Sequence, residues 1–163
     1  MTEITLQYAA KLLESWKNGN LVCRWYLSHR DTFSRSDLSN AISQPSYHFG
    51  EWFTARHFLK QGYEVLSEKF LLRQDKRRKA THILGKDGVA FLERKRRLGG
   101  SKLRWPPTPD LLVFKSKPKT FFFVEVKKDR DKLSAAQQHF FPMIGRKFGC
   151  NVLVVWLVGR HFR

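Results

Sequence analysis

The residues best placed to do chemistry stand at the ends of two short apolar runs, Leu111 to Phe114 and Phe121 to Val126. Asp110 precedes the first run, and Glu125 and Lys127 stand two apart near the end of the second. A Lys/Pro/Ser turn joins the runs, which predicts a pair of strands. Strand residues two apart share a face, so Glu125 and Lys127 project together while Val124 and Val126 turn the other way into a core. Two carboxylates and one ammonium then meet at one end of a small sheet. Carboxylate oxygens are hard ligands suited to Mg²⁺ or Mn²⁺, which keep several waters and bind phosphate oxygens; Zn²⁺ would want Cys or His. A neighbouring lysine can stabilise charge building on a phosphorane or help orient and deprotonate an attacking water. The chemistry indicated is metal-assisted phosphodiester hydrolysis. An isolated E-x-K is most often a solvated edge-strand pair, but this one ends a Phe/Val-rich run and has Pro109-Asp110 opening the run before it.

The chain that must position these groups has 163 residues, enough for one domain with a proper core, and 42% apolar and 14% aromatic content exclude a disordered tail. Thirty-one Lys and Arg against fourteen Asp and Glu give a net charge of +17. Such a field attracts a polyanion with strong salt dependence, nucleic acid first and an anionic membrane second. Basicity alone fits a packaging protein equally well. The two distant cysteines, Cys23 and Cys150, predict a reduced intracellular protein with both as small core hydrophobes. No run has the length of a signal peptide or membrane span, and the six histidines lack metal-binding spacing.

Helical spacing of Leu6, Ala9, Ala10, Leu13 and Trp16 predicts a first helix. Leu21 to Ser28 reads as strand or short helix, and Ser34 or Ser36 can cap a helix ending before Pro45. Residues 1–46 are expected to form a mainly helical extension completing the core; a three-helix DNA-binding-like unit is the alternative. Pro45 to Gly50 reads as a turn, Glu51 to Gln61 as a helix with Trp52, Ala55 and Leu59 inward, and Tyr63 to Leu72 as a strand. Residues 73–104 hold twelve basic and three acidic residues, in clusters Lys76, Arg77, Arg78, Lys79 and Arg94, Lys95, Arg96, Arg97. They are read as a basic β-hairpin or loop, with Gly85 and Gly88 at the turn, that grips DNA phosphates. A solvated loop or a nuclear-localisation signal are the alternatives. Trp105 among prolines packs there or stacks on a base. Ser134 can cap a last helix with Ala136, Phe140, Ile144 and Phe148 inward, Pro142 is expected to kink it, and Asn151 to Val158 reads as a buried strand.

Pro109-Asp110 followed by Glu125-Val126-Lys127 resembles the signature of the PD-(D/E)XK nuclease superfamily, and FVEVK with DRDKLSAAQ after it is similar to the VRR-NUC family. The resemblance implies an α/β, restriction-endonuclease-like αβββαβ core with a mixed central sheet flanked by helices, over residues 47–163. It implies Asp110 and Glu125 as metal ligands, the Val126 carbonyl as a backbone ligand, Lys127 as the catalytic lysine and Gln137 as a supporting glutamine. Glu51 matches the glutamate that such cores often present from their first helix; otherwise it complements the helix dipole, with Glu64 and Glu68 as substitutes. Lys128 stands where relatives often carry glycine, and adds a charge beside the site. The implied function is Mg²⁺- or Mn²⁺-dependent cleavage of DNA, structure-selective toward branched substrates, by a homodimer. The alternatives are a site-specific endonuclease of restriction or homing type, a non-catalytic nucleic-acid-binding protein on a nuclease fold, or an RNA-cleaving enzyme.

Overall fold

A computed structural model describes residues 1–67, 69–94, 96–97, 103–104 and 107–160, with the main chain only at 96, 97, 103 and 104. Its centre is a five-stranded mixed sheet of β1 (Thr2–Ala9), β2 (Glu64–Ser67), β5 (Leu111–Lys115), β6 (Thr120–Lys128) and β7 (Val152–Arg160). Across the sheet the order is β1-β7-β6-β5-β2. The three strands β2, β5 and β6 are antiparallel, whereas β6–β7 and β7–β1 are parallel. Helices α1 (Ala10–Lys17), α2 (Asn20–Ser28), α3 (Arg35–Ser43) and α4 (Pro45–Lys60) cover one face; α5 (Gln74–Glu93) and α6 (Ala135–Phe148) cover the other. Read from α4 onward, the elements α4, β2, β5, β6, α6 and β7 are the expected αβββαβ core. The insertion between β2 and β5 carries α5 and the two-stranded β3 (Arg96–Arg97) and β4 (Leu103–Arg104).

Alternation on each strand explains the layering. Val65, Leu111, Val113, Val124 and Val155 join the aromatic-rich core under α1, α2 and α4, while Leu66, Leu112, Phe114, Phe123 and Val152 join the core under α5 and α6. The first core is dense in rings: Phe33 lies flat on Trp52 at 3.7 Å between centroids, and Trp16 meets Trp25, Phe49 and Trp52 edge-on or tilted.

Several expectations are corrected. Leu6 to Ala9 is strand, not helix: Ile4, Leu6 and Tyr8 alternate inward, and β1 pairs with β7 along its whole length. The nearly uniform apolar run of β7 needs a neighbour on each side, and β1 supplies the second. Leu21 to Ser28 is helical. The three helices α1 to α3 are no separate DNA-binding unit, because Trp16, Leu21, Val22, Trp25 and Ala41 share the core of the sheet. Pro45 to Gly50 is the first turn and a half of α4 rather than a turn, with Pro45 at the position where its missing N–H costs nothing. The boundary expected at residue 46 therefore falls inside α4.

Within the basic segment, residues 74–93 are corrected from hairpin or loop to helix broken at Gly85, where the turn was expected, and the short antiparallel pair β3–β4 follows. Lys76, Ala80 and Ile83 are buried at helical spacing, then Gly85 (φ 76°, ψ 164°) bends the chain and Gly88, Val89 and Leu92 continue inward. Gly88 permits the contact with α6, since a Cβ there would lie 2.8 Å from the Phe148 ring. The exposed basic clusters hide this period from a reading of charge. Strand β2 ends at Ser67 rather than Leu72. Helix α6 stays helical through exposed Pro142. Cys23 is exposed, so it is not a core residue; Cys150 is half-buried. Among the described residues no helix is long and apolar enough to cross a membrane.

Candidate active site

The site is built by register. Leu111 on β5 opposes Val124 on β6, so the next step outward sets Asp110 against Glu125 on the same face. Where the ladder ends, the Asp110 side chain continues it: the Val126 main-chain N–H donates to Asp110 Oδ2 at 2.8 Å. Glu125 is 2% exposed, deeper than a projecting surface residue, and Lys127 Nζ donates to its Oε1 at 2.7 Å. Val124 and Val126 turn to the opposite core as expected.

Helix α6 begins beside this pair. Ser134 caps it by accepting from the Gln137 main-chain N–H at 3.2 Å, and Gln137 Oε1 accepts from the Ser134 N–H at 3.0 Å. The same Gln137 side chain donates from Nε2 to Glu125 Oε1. One residue thus closes the helix cap and fixes the carboxylate. Among the described residues, Glu125 Oε2 is buried without a hydrogen-bond partner.

Glu51 arrives from the other side of the sheet. Helix α4 lies so close at Gly50 that a Cβ would stand 3.1 Å from Leu157 Cδ1 and 3.2 Å from Val126 Cγ1. That approach sets Glu51 in a cavity of about 490 Å³ shared with Asp110, His48, Lys69 and an apolar wall. His48 Nδ1 is 3.5 Å from Glu51 Oε2. Glu64, the substitute, lies at the far end of β2 opposite Phe114, bonded to Ser116; Glu68 is outside the described residues.

The electrostatics follow from this crowding. Burial pushes Asp110 well above the ordinary carboxylate range, and the charges of Glu125 and Glu51 push it further, against the Val126 N–H and Lys127. Burial also raises Glu125, opposed by Lys127, Gln137 and the Asp110 amide. Among the described residues no three His, Cys, Asp or Glu side chains form a metal cage. The donors are two carboxylates, one with an orphaned buried oxygen, and a hard cation that keeps most of its waters fits them.

The sequence-predicted residues divide cleanly. Asp110, Glu125, Lys127 and Gln137 come together, and Glu51 joins them across the cavity. Val126 contributes its amide through the contact with Asp110. Of the basic residues, Lys76 is corrected: it is 4% exposed, with Nζ bonded to Asp37 Oδ2 at 2.6 Å and the Ser67 carbonyl at 2.7 Å, so it holds α3, β2 and α5 together and cannot reach DNA. Arg77 is exposed but ion-paired to Glu93, and Arg78, Lys79 and Arg94 are exposed. Lys128 is half-buried, 3.5 Å from Asp129. Lys95 and Trp105 lie outside the described residues, as do the side chains of Arg96 and Arg97. His48 and Lys69 line the cavity with Glu51 and Asp110 and were not singled out by the sequence. His48 is legible only once α4 begins at Pro45, and Lys69, at φ 47°, follows from β2 stopping at Ser67.

A search of curated proteins and a search of solved structures each gave no match. A family model, the VRR-NUC domain, matches residues 50–156, from the glycine that lets α4 approach the sheet to the heart of β7. The match spans well over half of the chain and includes every residue of the carboxylate site, so this chain belongs to the VRR-NUC family, a nuclease domain of the PD-(D/E)XK superfamily.

Proposed function

We propose that the chain is an endonuclease that hydrolyses DNA phosphodiester bonds with Mg²⁺ or Mn²⁺ and selects substrates by structure rather than by sequence. The observation that carries this reading is half-buried Asp110 beside buried Glu125, with Lys127 and Gln137 on one Glu125 oxygen and, among the described residues, no hydrogen-bond partner on the other. Burial raises the proton affinity of both acids and the Glu125 charge raises that of Asp110 further, a crowding that a cation relieves. Asp110 and Glu125 would hold it, with the Val126 carbonyl at hand and Glu51 acting through water. The metal would supply a polarised phosphate and a more acidic water. Lys127 stays beside the reacting phosphate as an oriented cation, held there by Glu125, while Gln137 keeps that carboxylate from rotating.

Shape-based recognition suits the charge. Arg78, Lys79 and Arg94 are exposed cations that can bind phosphates, and contacts to phosphate position DNA without reading its bases. A homodimer is part of the proposal through family resemblance. The test is cleavage of labelled linear duplex, flap and four-way-junction DNA in Mg²⁺, Mn²⁺ or EDTA. Metal-dependent cutting that favours branched substrates is expected. Cutting of linear duplex at one sequence would replace the reading with a site-specific endonuclease, and salt-sensitive binding without cutting would replace it with a binding protein.

A further inference from the structure

The cavity beside Asp110 has an unusual division of labour. Its catalytic side carries Glu51 and Asp110, whereas its wall is formed by Leu71, Leu72, Leu92 and Pro109. Leu72 is 74% exposed, one of the few large apolar side chains left open to solvent, and Lys69 stands at the same rim. Tyr47, 79% exposed, precedes the cavity residue His48 on α4, one turn before Glu51. At about 490 Å³ the space is within the roughly 300–1,000 Å³ of small-molecule sites.

A phosphate has no partner on a leucine wall, and the acids on the other side repel it wherever no cation intervenes. What suits that wall is the apolar part of a nucleotide, its base face and deoxyribose. A base stacked and paired within a duplex cannot enter, so the nucleotide must be unpaired or extruded. We infer that this cavity takes a single unstacked nucleoside next to the scissile phosphate, with Leu72 as its apolar platform and Lys69 at the rim for the flanking phosphate. The inference rests on the nuclease reading above and gives its structure selectivity a physical source: branches, flaps and frayed ends offer such a nucleotide, and intact duplex does not.

The test places 2-aminopurine, whose fluorescence rises when it leaves the stack, at the nucleotide beside the mapped cut. Native protein is added in EDTA to a substrate with that nucleotide unpaired and to a fully paired control. A severalfold rise is expected for the unpaired substrate and none for the control. Leu72→Glu, at an exposed position, is expected to melt like the native protein, to abolish the rise, and to slow cleavage of the unpaired substrate at least tenfold more than that of the paired one. Cleavage by the native protein with no fluorescence change overturns the inference and leaves the nuclease standing, as does Leu72→Glu slowing both substrates equally. Failure to cut any substrate overturns the nuclease reading and this one with it.

Discussion

Asp110 is held against its own preference. Its neighbours Glu125 and Glu51 and its burial all favour the protonated form, while the Val126 N–H and Lys127 oppose them. The unfolded chain lacks this environment and binds its proton at the ordinary carboxylate value. A raised folded pKa means that stability is fullest below the unfolded value and declines as pH rises through the folded one. Without metal, therefore, ionised Asp110 destabilises the fold at neutral pH. Asp110→Asn, which can still accept from the Val126 N–H, is expected to raise the melting temperature of metal-free protein at pH 8, with a gain that shrinks toward pH 4. Added Mg²⁺ should raise the melting temperature of the native protein and not that of the variant, because binding stabilises only a fold that holds the ion. An equal Mg²⁺ effect on both would remove Asp110 from the metal site.

At the scale of elements, α4 and α6 bring the remaining groups to the strand ends, each by a local device. Helix α6 does so through the Ser134–Gln137 cap, and α4 through the bare Cα of Gly50. Gly50→Val would force α4 away from Val126 and Leu157. We expect a loss of about 1–3 kcal/mol from overpacking, and a fall in cleavage at temperatures where circular dichroism still shows the folded state; a native rate in the folded variant would mean that the Glu51 position is immaterial. This scale also separates what the sequence could disclose from what it could not. Glu125 and Lys127 were legible because strand alternation is local, whereas Gln137 was implied only by the family resemblance and its part in the Ser134 cap needed the structure. The partnership of Asp110 with Glu125 was legible from two runs and a turn. In contrast, β1 reads as strand only in the light of β7, its partner some 150 positions away. The helical period of α5 rests on buried Lys76, whose type argues for the surface until Asp37 is seen beside it.

Across the whole molecule the charge does two different jobs that composition cannot separate. Lys76 is structural: Lys76→Met would strip buried Asp37 of its closer cation and leave it only Arg73 at 4.0 Å, a change that costs about 3 kcal/mol and lowers the melting temperature by on the order of 10 °C. Arg78 and Lys79, two residues further along α5, are exposed, and replacing both with Ala is expected to leave the melting temperature nearly unchanged. It should, however, flatten the dependence of log affinity on log salt by about 1 per lost phosphate contact. Unchanged salt dependence in the double variant would move the DNA path away from α5. Five strands with helices on both faces hold the carboxylate pair at one end of the sheet, and the basic helix borders the cavity that opens there.

In the proposed function, Asp110, Glu125 and Lys127 act together with a divalent cation on a phosphodiester. The single-turnover cleavage rate of a branched DNA, followed against Mg²⁺ concentration for the native protein, Asp110→Asn, Glu125→Gln and Lys127→Met, tests that joint action. A saturable Mg²⁺ dependence is expected in the native protein, and no cutting above background in the two carboxylate variants at any Mg²⁺ concentration. Lys127→Met is expected to lose about 10²–10³-fold, with DNA binding retained in all three. Cleavage in EDTA, or native rates in either carboxylate variant, would rule that joint action out.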